Sequence, residues 1–376
     1  MRDETRRAVL VGADVASLAE LVPAYFKQAY DWTIVSGAME LVKNIARFHG
    51  YQLLEARVGA QPVRIEIACV PEEDESTAMD AVRTADIIAV CGDSLADAAR
   101  VIASARNNVD SLGQILIFGE AWDAKERLME LLRLELGDHD VDVDSLQINC
   151  AVPDRLSALR MASQEEQICI VVEPSIERLE NKTGSDAASY LARRREMLLG
   201  TALAMLGYLG WNAEVESLAQ ALRNPKIQTS LQGALKEVGK ALCAEEAVPL
   251  DEVDALAGEL LQRLANPLLA LTVSAELQRA CACAQQQNSK LRKVLDLCRK
   301  HGVKPVYLSM GMAGELLYQD SLEERGRGIR ALFRKRSTSR AIKKLYGMDN
   351  RELAYWWIHE FSRNLERGLL RNSTGE

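Results

Sequence analysis

The chain of 376 residues carries 46 Lys and Arg against 54 Asp and Glu, a net charge of −8, and is 48% hydrophobic. That length holds two domains with separate cores, and the composition is that of a folded protein and excludes a disordered one. The longest uncharged apolar run, Met197 to Trp211, is shorter than the roughly 18 to 20 residues of a membrane span, and MRDETRR leads into a strand pattern without a signal-peptide core, so a cytoplasmic protein with no membrane partner is expected.

The first element is AVLVGADVAS, residues 8–17. An apolar run ends at Gly12 and passes into a helical pattern, as the first strand, phosphate turn and helix of a dinucleotide fold would read. The three positions of the G-x-G-x-x-G fingerprint hold Gly12, Asp14 and Ser17. Gly12 keeps the tight exit from the strand. Asp14 places a carboxylate where the second glycine lets backbone approach a pyrophosphate, and there it caps the helix and repels a diphosphate. The acidic residue that grips the ribose hydroxyls, expected about 20 positions on, falls near Ser36, and no arginine follows closely to take a 2′-phosphate. Gly12, Asp14, Ser17 and Ser36 are thus a degenerate cofactor site, expected to keep its shape without binding a dinucleotide at ordinary affinity.

Farther along, DWTIVSG, VRIEIACV, ADIIAVCG, GQILIFGEA and ICIVVEP read as strands. Between the strands, SLAELVPAYFKQAY, AMELVKNIARFHG and SLADAARVIASARNNV have the spacing of amphipathic helices, so the alternation predicts a mostly parallel sheet covered by helices. From about Tyr190 strand signals stop, and RNP at 223–225 and ANP at 265–267 each offer an Asn cap ahead of a Pro in a first helical turn. The run from Met197 to Trp211 reads as a buried helix. The expected architecture is α/β: a doubly wound Rossmann-like sheet over residues 1–189, then an all-helical domain over 190–376.

The eight cysteines mostly sit singly in apolar stretches, so no disulfide framework is expected. Cys281 and Cys283 lack the spacing of a zinc knuckle and no second ligand pair follows, so no metal is expected. None of the four histidines, His49, His139, His301 and His359, has the company of a catalytic arrangement. The segment from Arg325 to Lys344 holds nine basic residues and no acidic one, leaving 37 basic against 54 acidic residues, or −17, in the rest. It reads as a solvated helical face, with a patch for nucleic acid or another polyanion as the sharper alternative.

In their order these pieces resemble the mannitol-1-phosphate 5-dehydrogenase family of polyol-specific long-chain dehydrogenases. ADIIAVCG, QILIFGEAWDAKERLMELL, NCAVPDRLSALR, ICIVVEPSIERLENKTG, ALRNPKIQTSLQGALKEVGKAL, RLANPLLALTV and RKHGVKPVYLSMGMAGELLY are each similar to a landmark of that family. The resemblance implies a Rossmann domain followed by a helical one. It also marks Glu120, Asp154, Arg155, Glu173 and Lys182 as candidates for a cleft between the two, with structural pairing as the alternative.

Family members carry Lys-x4-Asn-x2-His just before Ala-Tyr-Leu-Gly. Counting back from GYLG at 207–210, those three positions fall on Arg195, Gly200 and Leu203. An alcohol loses hydride only if its hydroxyl proton is taken by a base that can be neutral at working pH, and arginine remains protonated. No family catalytic residue is therefore expected intact. Where the family has a cation-rich run for the substrate phosphate, this chain has SAELQRACACAQQ, with Arg279 alone in place of several cations.

Together these readings predict a mannitol-1-phosphate dehydrogenase-like protein that has lost polyol oxidation, a pseudoenzyme without cofactor that binds a small molecule or a protein partner. The alternative is an oxidoreductase using NAD or NADP, with an active site rebuilt for a different substrate.

Overall fold

The computed structural model describes residues 6–26, 30–36, 40–71, 74–106, 113–119, 124–137, 143, 146–151, 155–160, 167–174, 186–247, 249–285, 289–318 and 338–370. The chain divides into two compact units, Met1–Arg193 and Arg194–Glu376.

The strands described in the first unit are β1 (Arg6–Val11), β2 (Tyr30–Ser36), β3 (Gly50–Glu55), β4 (Val63–Glu66), β5 (Ala68–Pro71), β6 (Ile87–Cys91), β7 (Gln114–Phe118), β8 (Ile148–Ala151), β9 (Ser157–Arg160) and β10 (Cys169–Val172). Six of them form one sheet in the order β5-β2-β1-β6-β7-β8, and every pairing in it is parallel. This is the doubly wound dinucleotide order, whose reversal point lies between β1 and β6. Alternate residues of β1 serve the two faces. Ala8 and Leu10 join a core with Ile34, Ile45 and Tyr51, while Val9 and Val11 join another with Val82, Ile102 and Leu128. Burial on both sides is why the strand reads as a continuous apolar run.

A second sheet, β4-β3-β10-β9, was not expected. VRIEIACV, read as one strand, breaks at Ile67 into β4, antiparallel to β3, and β5, parallel to β2. ICIVVEP likewise joins this smaller sheet, beside β3 and β9. The strands missed are β3, β8 and β9; β8 and β9 have four residues each, and β9 is half-buried to exposed along its length, so neither a long apolar run nor a clean alternation announces it.

The first unit's helices are α1 (Val22–Phe26), α2 (Glu40–Phe48), α3 (Glu75–Arg83), α4 (Leu95–Arg106) and α5 (Ala124–Leu136). α1 is preceded by a wide π-type turn, Ser17–Leu21, every residue of which is buried. Tyr51 on β3 donates its hydroxyl to the carbonyl of Leu18 in that turn at 2.6 Å.

The described residues of the second unit are helical, with a single bridge between Ser217 and Thr272. Its elements are α6 (Asp186–Asn212), which begins in the last residues of the first unit, α7 (Leu218–Arg223), α8 (Pro225–Glu246), α9 (Leu250–Leu264), α10 (Val273–Gln285), α11 (Lys290–Lys300), α12 (Leu308–Leu317), α13 (Thr338–Tyr346) and α14 (Leu353–Glu366). Leu198 to Leu209 of α6 are buried, as the uncharged run requires. The two Asn-Pro signals diverge. Asn224 accepts from the amides of Lys226 and Ile227 and starts the long α8. Asn266 accepts from Leu268 but starts only a single 3₁₀ turn, Pro267–Leu269.

Candidate functional site

Two places in the fold hold the residues singled out above, one in each unit. In the first, Gly12 leaves β1 with φ +72°, its amide donating to the Val35 carbonyl at 2.9 Å. A Cβ there would lie 2.1 Å from Ser94 Oγ, so the position needs glycine on both counts. Across the reversal point, a Cβ on Gly119 after β7 would come within 3.1 Å of the Gly92 Cα after β6. Backbone therefore runs close at the carboxyl ends of β6 and β7, on the side where a doubly wound sheet opens its ligand crevice. Ser36, at the end of β2, is buried.

The next residues close on themselves. Asp14 Oδ1 accepts from the Ser17 amide at 2.6 Å, Ser17 Oγ donates to the Asp14 carbonyl at 3.0 Å, and the Asp14 amide donates to Ser17 Oγ at 3.2 Å. Beneath them the Cys91 thiol lies 3.3 Å from Ser17 Oγ and 3.5 Å from the Gly12 carbonyl.

Of the cleft candidates, Glu120, Asp154 and Lys182 lie outside the described residues. Arg155 and Glu173 come together in the first unit, but as a structural clasp. The Arg155 guanidinium donates to the Glu173 carbonyl from Nε at 2.7 Å and from its terminal nitrogen as well, and lies 3.9 Å from Glu55. Its amide donates to Glu20, and Glu173 Oε2 accepts from the Leu156 amide at 2.8 Å. Burial draws the Arg155 guanidinium below its ordinary value, although Glu20, Glu55 and Glu173 oppose that.

The second place is in the helical unit. Arg195, in the family's lysine position, is buried, and its neighbour Arg194 pairs with Glu246 at 2.7 Å. Gly200 and Leu203 line a small pocket, partly open to solvent. Three other helices complete it, with Glu276 and Arg279 from α10, Lys290 from α11 beside its cap Ser289, and Glu315 from α12. Arg279 pairs with Glu276 at 3.3 Å. Glu315 accepts hydrogen bonds from Tyr346 at 2.6 Å, Ser289 at 3.0 Å and Tyr208 at 3.3 Å. Burial nonetheless pushes its carboxyl up, the three hydroxyls lowering it in part.

Sequence reasoning missed Lys290. It follows CACAQQQNS after an interval that matches no motif, and its place is set by tertiary packing. A Cβ built on Gly200 would lie 2.7 Å from Lys290 Cδ and 3.5 Å from its Nζ. The lysine stem thus fills the volume that a side chain at 200 would take, and Arg279 is not the sole cation of the pocket.

Residues 325–337 of the basic segment lie outside the described residues, as do the side chains of Cys281 and Cys283. The described cysteines are free thiols. Among the described residues no helix is long and apolar enough to cross a membrane, and no group of three or more His, Cys, Asp or Glu is placed to hold a metal ion.

Residues 186–351 match the family model of the mannitol dehydrogenase C-terminal domain. The chain is similar to a mannitol-1-phosphate 5-dehydrogenase of Caldanaerobacter subterraneus subsp. tengcongensis, 22% identical over 346 residues, covering 86% of this chain and 89% of the relative. It is also similar to one of Bacillus pumilus, 23% identical over 299 residues, covering 73% and 77%. Its fold is like that of Pseudomonas fluorescens mannitol 2-dehydrogenase, solved as a ternary complex with NAD and D-mannitol, with a TM-score of 0.72 at 11% identity over 98% of this chain and 93% of the other.

These likenesses overturn the expectation of a protein without cofactor. The relatives matched over most of the chain are dehydrogenases, and the fold relative holds NAD. Repulsion of a diphosphate requires the Asp14 carboxylate to stand in its path. In the structure that carboxylate turns back onto the Ser17 amide, so its charge is offset within the helix's own first turn. The left-handed Gly12 turn and the close approach of Gly92 and Gly119 keep the backbone path of that fold's phosphate turn.

Proposed function

We infer, from a chain that is a divergent member of the mannitol-1-phosphate 5-dehydrogenase family, that its polyol site has been rebuilt to oxidise a different alcohol with a nicotinamide dinucleotide. The observation that carries this reading is the pocket at Gly200 and Leu203. Two positions without polar side chains face a cavity bearing Glu276, Arg279, Lys290 and Glu315 from neighbouring helices. Four ionisable side chains around one small cavity are costly for a remnant and ordinary for a reaction site.

The Gly12 turn, with Ser36 at the end of β2 and Gly92 at the end of β6, would hold the dinucleotide. When bound, it supplies a hydride acceptor or donor. The protein's part is to orient the alcohol and manage the hydroxyl proton. Arg279 offers a planar cation for an anionic group on the substrate, held in place by Glu276.

Arg195 favours a second reading, in which the chain has lost oxidation altogether and acts by binding a ligand or partner. A guanidinium in the family's lysine position cannot take a proton. Absorbance at 340 nm separates the two. Incubation with NAD+ or NADP+ and a panel of sugar alcohols, their phosphates and small hydroxy acids should give reduction with at least one member other than mannitol 1-phosphate. No reduction across the panel, with dinucleotide bound, would favour the second reading.

A further inference from the structure

We propose that Ser36 opens the crevice of the first unit to NADP as well as NAD, its hydroxyl suiting a ribose hydroxyl and a 2′-phosphate alike. The proposal rests on the oxidoreductase reading above. Its first support is position. Leu10 pairs with Ile34 and Val11 with Val35 along the parallel ladder, and the Gly12 amide donates to the Val35 carbonyl at 2.9 Å, so Ser36 stands beside the Gly12 turn. Leu10 and Ile34 share one core with Ala13 and Leu18, and side chains alternate along a strand, which puts Ser36 on the face that the turn after Gly12 covers. In this fold the end of the second strand is where the adenosine ribose is recognised.

A second support is the hydroxyl itself. Ser36 is only 7% exposed, yet among the described residues its hydroxyl makes no hydrogen bond. A buried polar group without a partner is unfavourable, and a ligand contact here would relieve it. A serine hydroxyl both donates and accepts, so it meets a ribose 2′-hydroxyl in either sense and donates to a phosphate oxygen. A carboxylate in its place would only accept, gripping the ribose hydroxyls and repelling a 2′-phosphate.

The surrounding charges do not restore that discrimination. Gly37, Ala38 and Met39 carry none, and Glu40 in the first turn of α2 pairs with Lys43 at 3.1 Å. On the other side Ser36 pairs with Pro71 at the end of β5, and the Asp74 amide donates to the Pro71 carbonyl at 3.1 Å. The Asp74 carboxylate accepts from the Thr77 amide at 3.2 Å as the cap of α3, and Asp74 is exposed. With Glu72, Glu73 and Glu75 beside it in the sequence, it tilts the balance toward NAD. An exposed charge is screened by salt and alters affinity by less than about tenfold, whereas a like charge against the phosphate in a partly dry crevice alters it by about 100-fold or more.

Separate calorimetric titrations of the full chain with NADH and with NADPH, at about 0.15 M salt, test this. The two dissociation constants of the wild type should agree within about tenfold. Ser36→Asp should weaken NADPH relative to NADH by about 100-fold. Should that variant fail to fold, Ser36→Ala gives the second reading, since loss of the hydroxyl should weaken both dinucleotides by a similar factor of about 3 to 10. A wild-type gap wider than about tenfold, an unchanged ratio in a folded Ser36→Asp, or weakening of one dinucleotide alone in Ser36→Ala overturns the proposal. Binding of neither dinucleotide by the wild type instead overturns the oxidoreductase reading on which it rests.

Discussion

Asp14 and Ser17 hold each other across the first turn after β1, the Ser17 amide donating to Asp14 Oδ1 at 2.6 Å and the Ser17 hydroxyl to the Asp14 carbonyl at 3.0 Å. In this arrangement the aspartate is a helix cap. Asp14→Ala should lower stability by about 1 kcal/mol, the usual cost of losing such a cap, seen as a reduced urea midpoint. Because that charge is already offset within the turn, dinucleotide affinity should change little while stability falls. Loss of both together would show that the cap also builds the binding turn.

Arg195→Lys restores only one of the three family positions. Gly200 still offers no amide to the developing alkoxide and Leu203 no hydrogen bond. The expected result is no appreciable oxidation of mannitol 1-phosphate with NAD+. Turnover from that single change would mean that the remaining site suits the family's substrate.

Glu315 makes stability depend on pH. Burial pushes its carboxyl up in the folded state, whereas an unfolded glutamate titrates near ~4.3. Below that value both states are protonated and the group's contribution is fully present. As pH rises the unfolded chain gives up its proton first, so this contribution is lost progressively until the folded carboxyl ionises. Urea midpoints measured from about pH 4 to neutrality should therefore fall less steeply in Glu315→Gln than in the wild type. Equal slopes would contradict the account of this group.

The parallel sheet was legible because its strands are buried on both faces and read as apolar runs such as Ala8 to Val11 and Ile87 to Val90. The smaller sheet was not, since β4 and β9 have only four residues each and β4 shares a single apolar stretch with β5. Gly12, Asp14 and Ser17 lie together where β1 gives way to the first helix. The direction of the Asp14 carboxylate, on which the electrostatics depend, is a side-chain torsion that residue order does not encode. Lys290 was hidden for a related reason. Gly200 and Lys290 stand 90 positions apart, and only the packing of α6 against α11 brings the vacated volume and the amine together.

Every catalytic reading requires a dinucleotide, so calorimetric titration of the full chain with NAD+, NADH, NADP+ and NADPH is the decisive measurement. Saturable binding of one dinucleotide per chain to the unmodified protein is expected, weakened by Gly12→Ala, whose Cβ would meet Ser94. No binding tighter than about 1 mM by any of the four, in a protein shown to be folded, would contradict it.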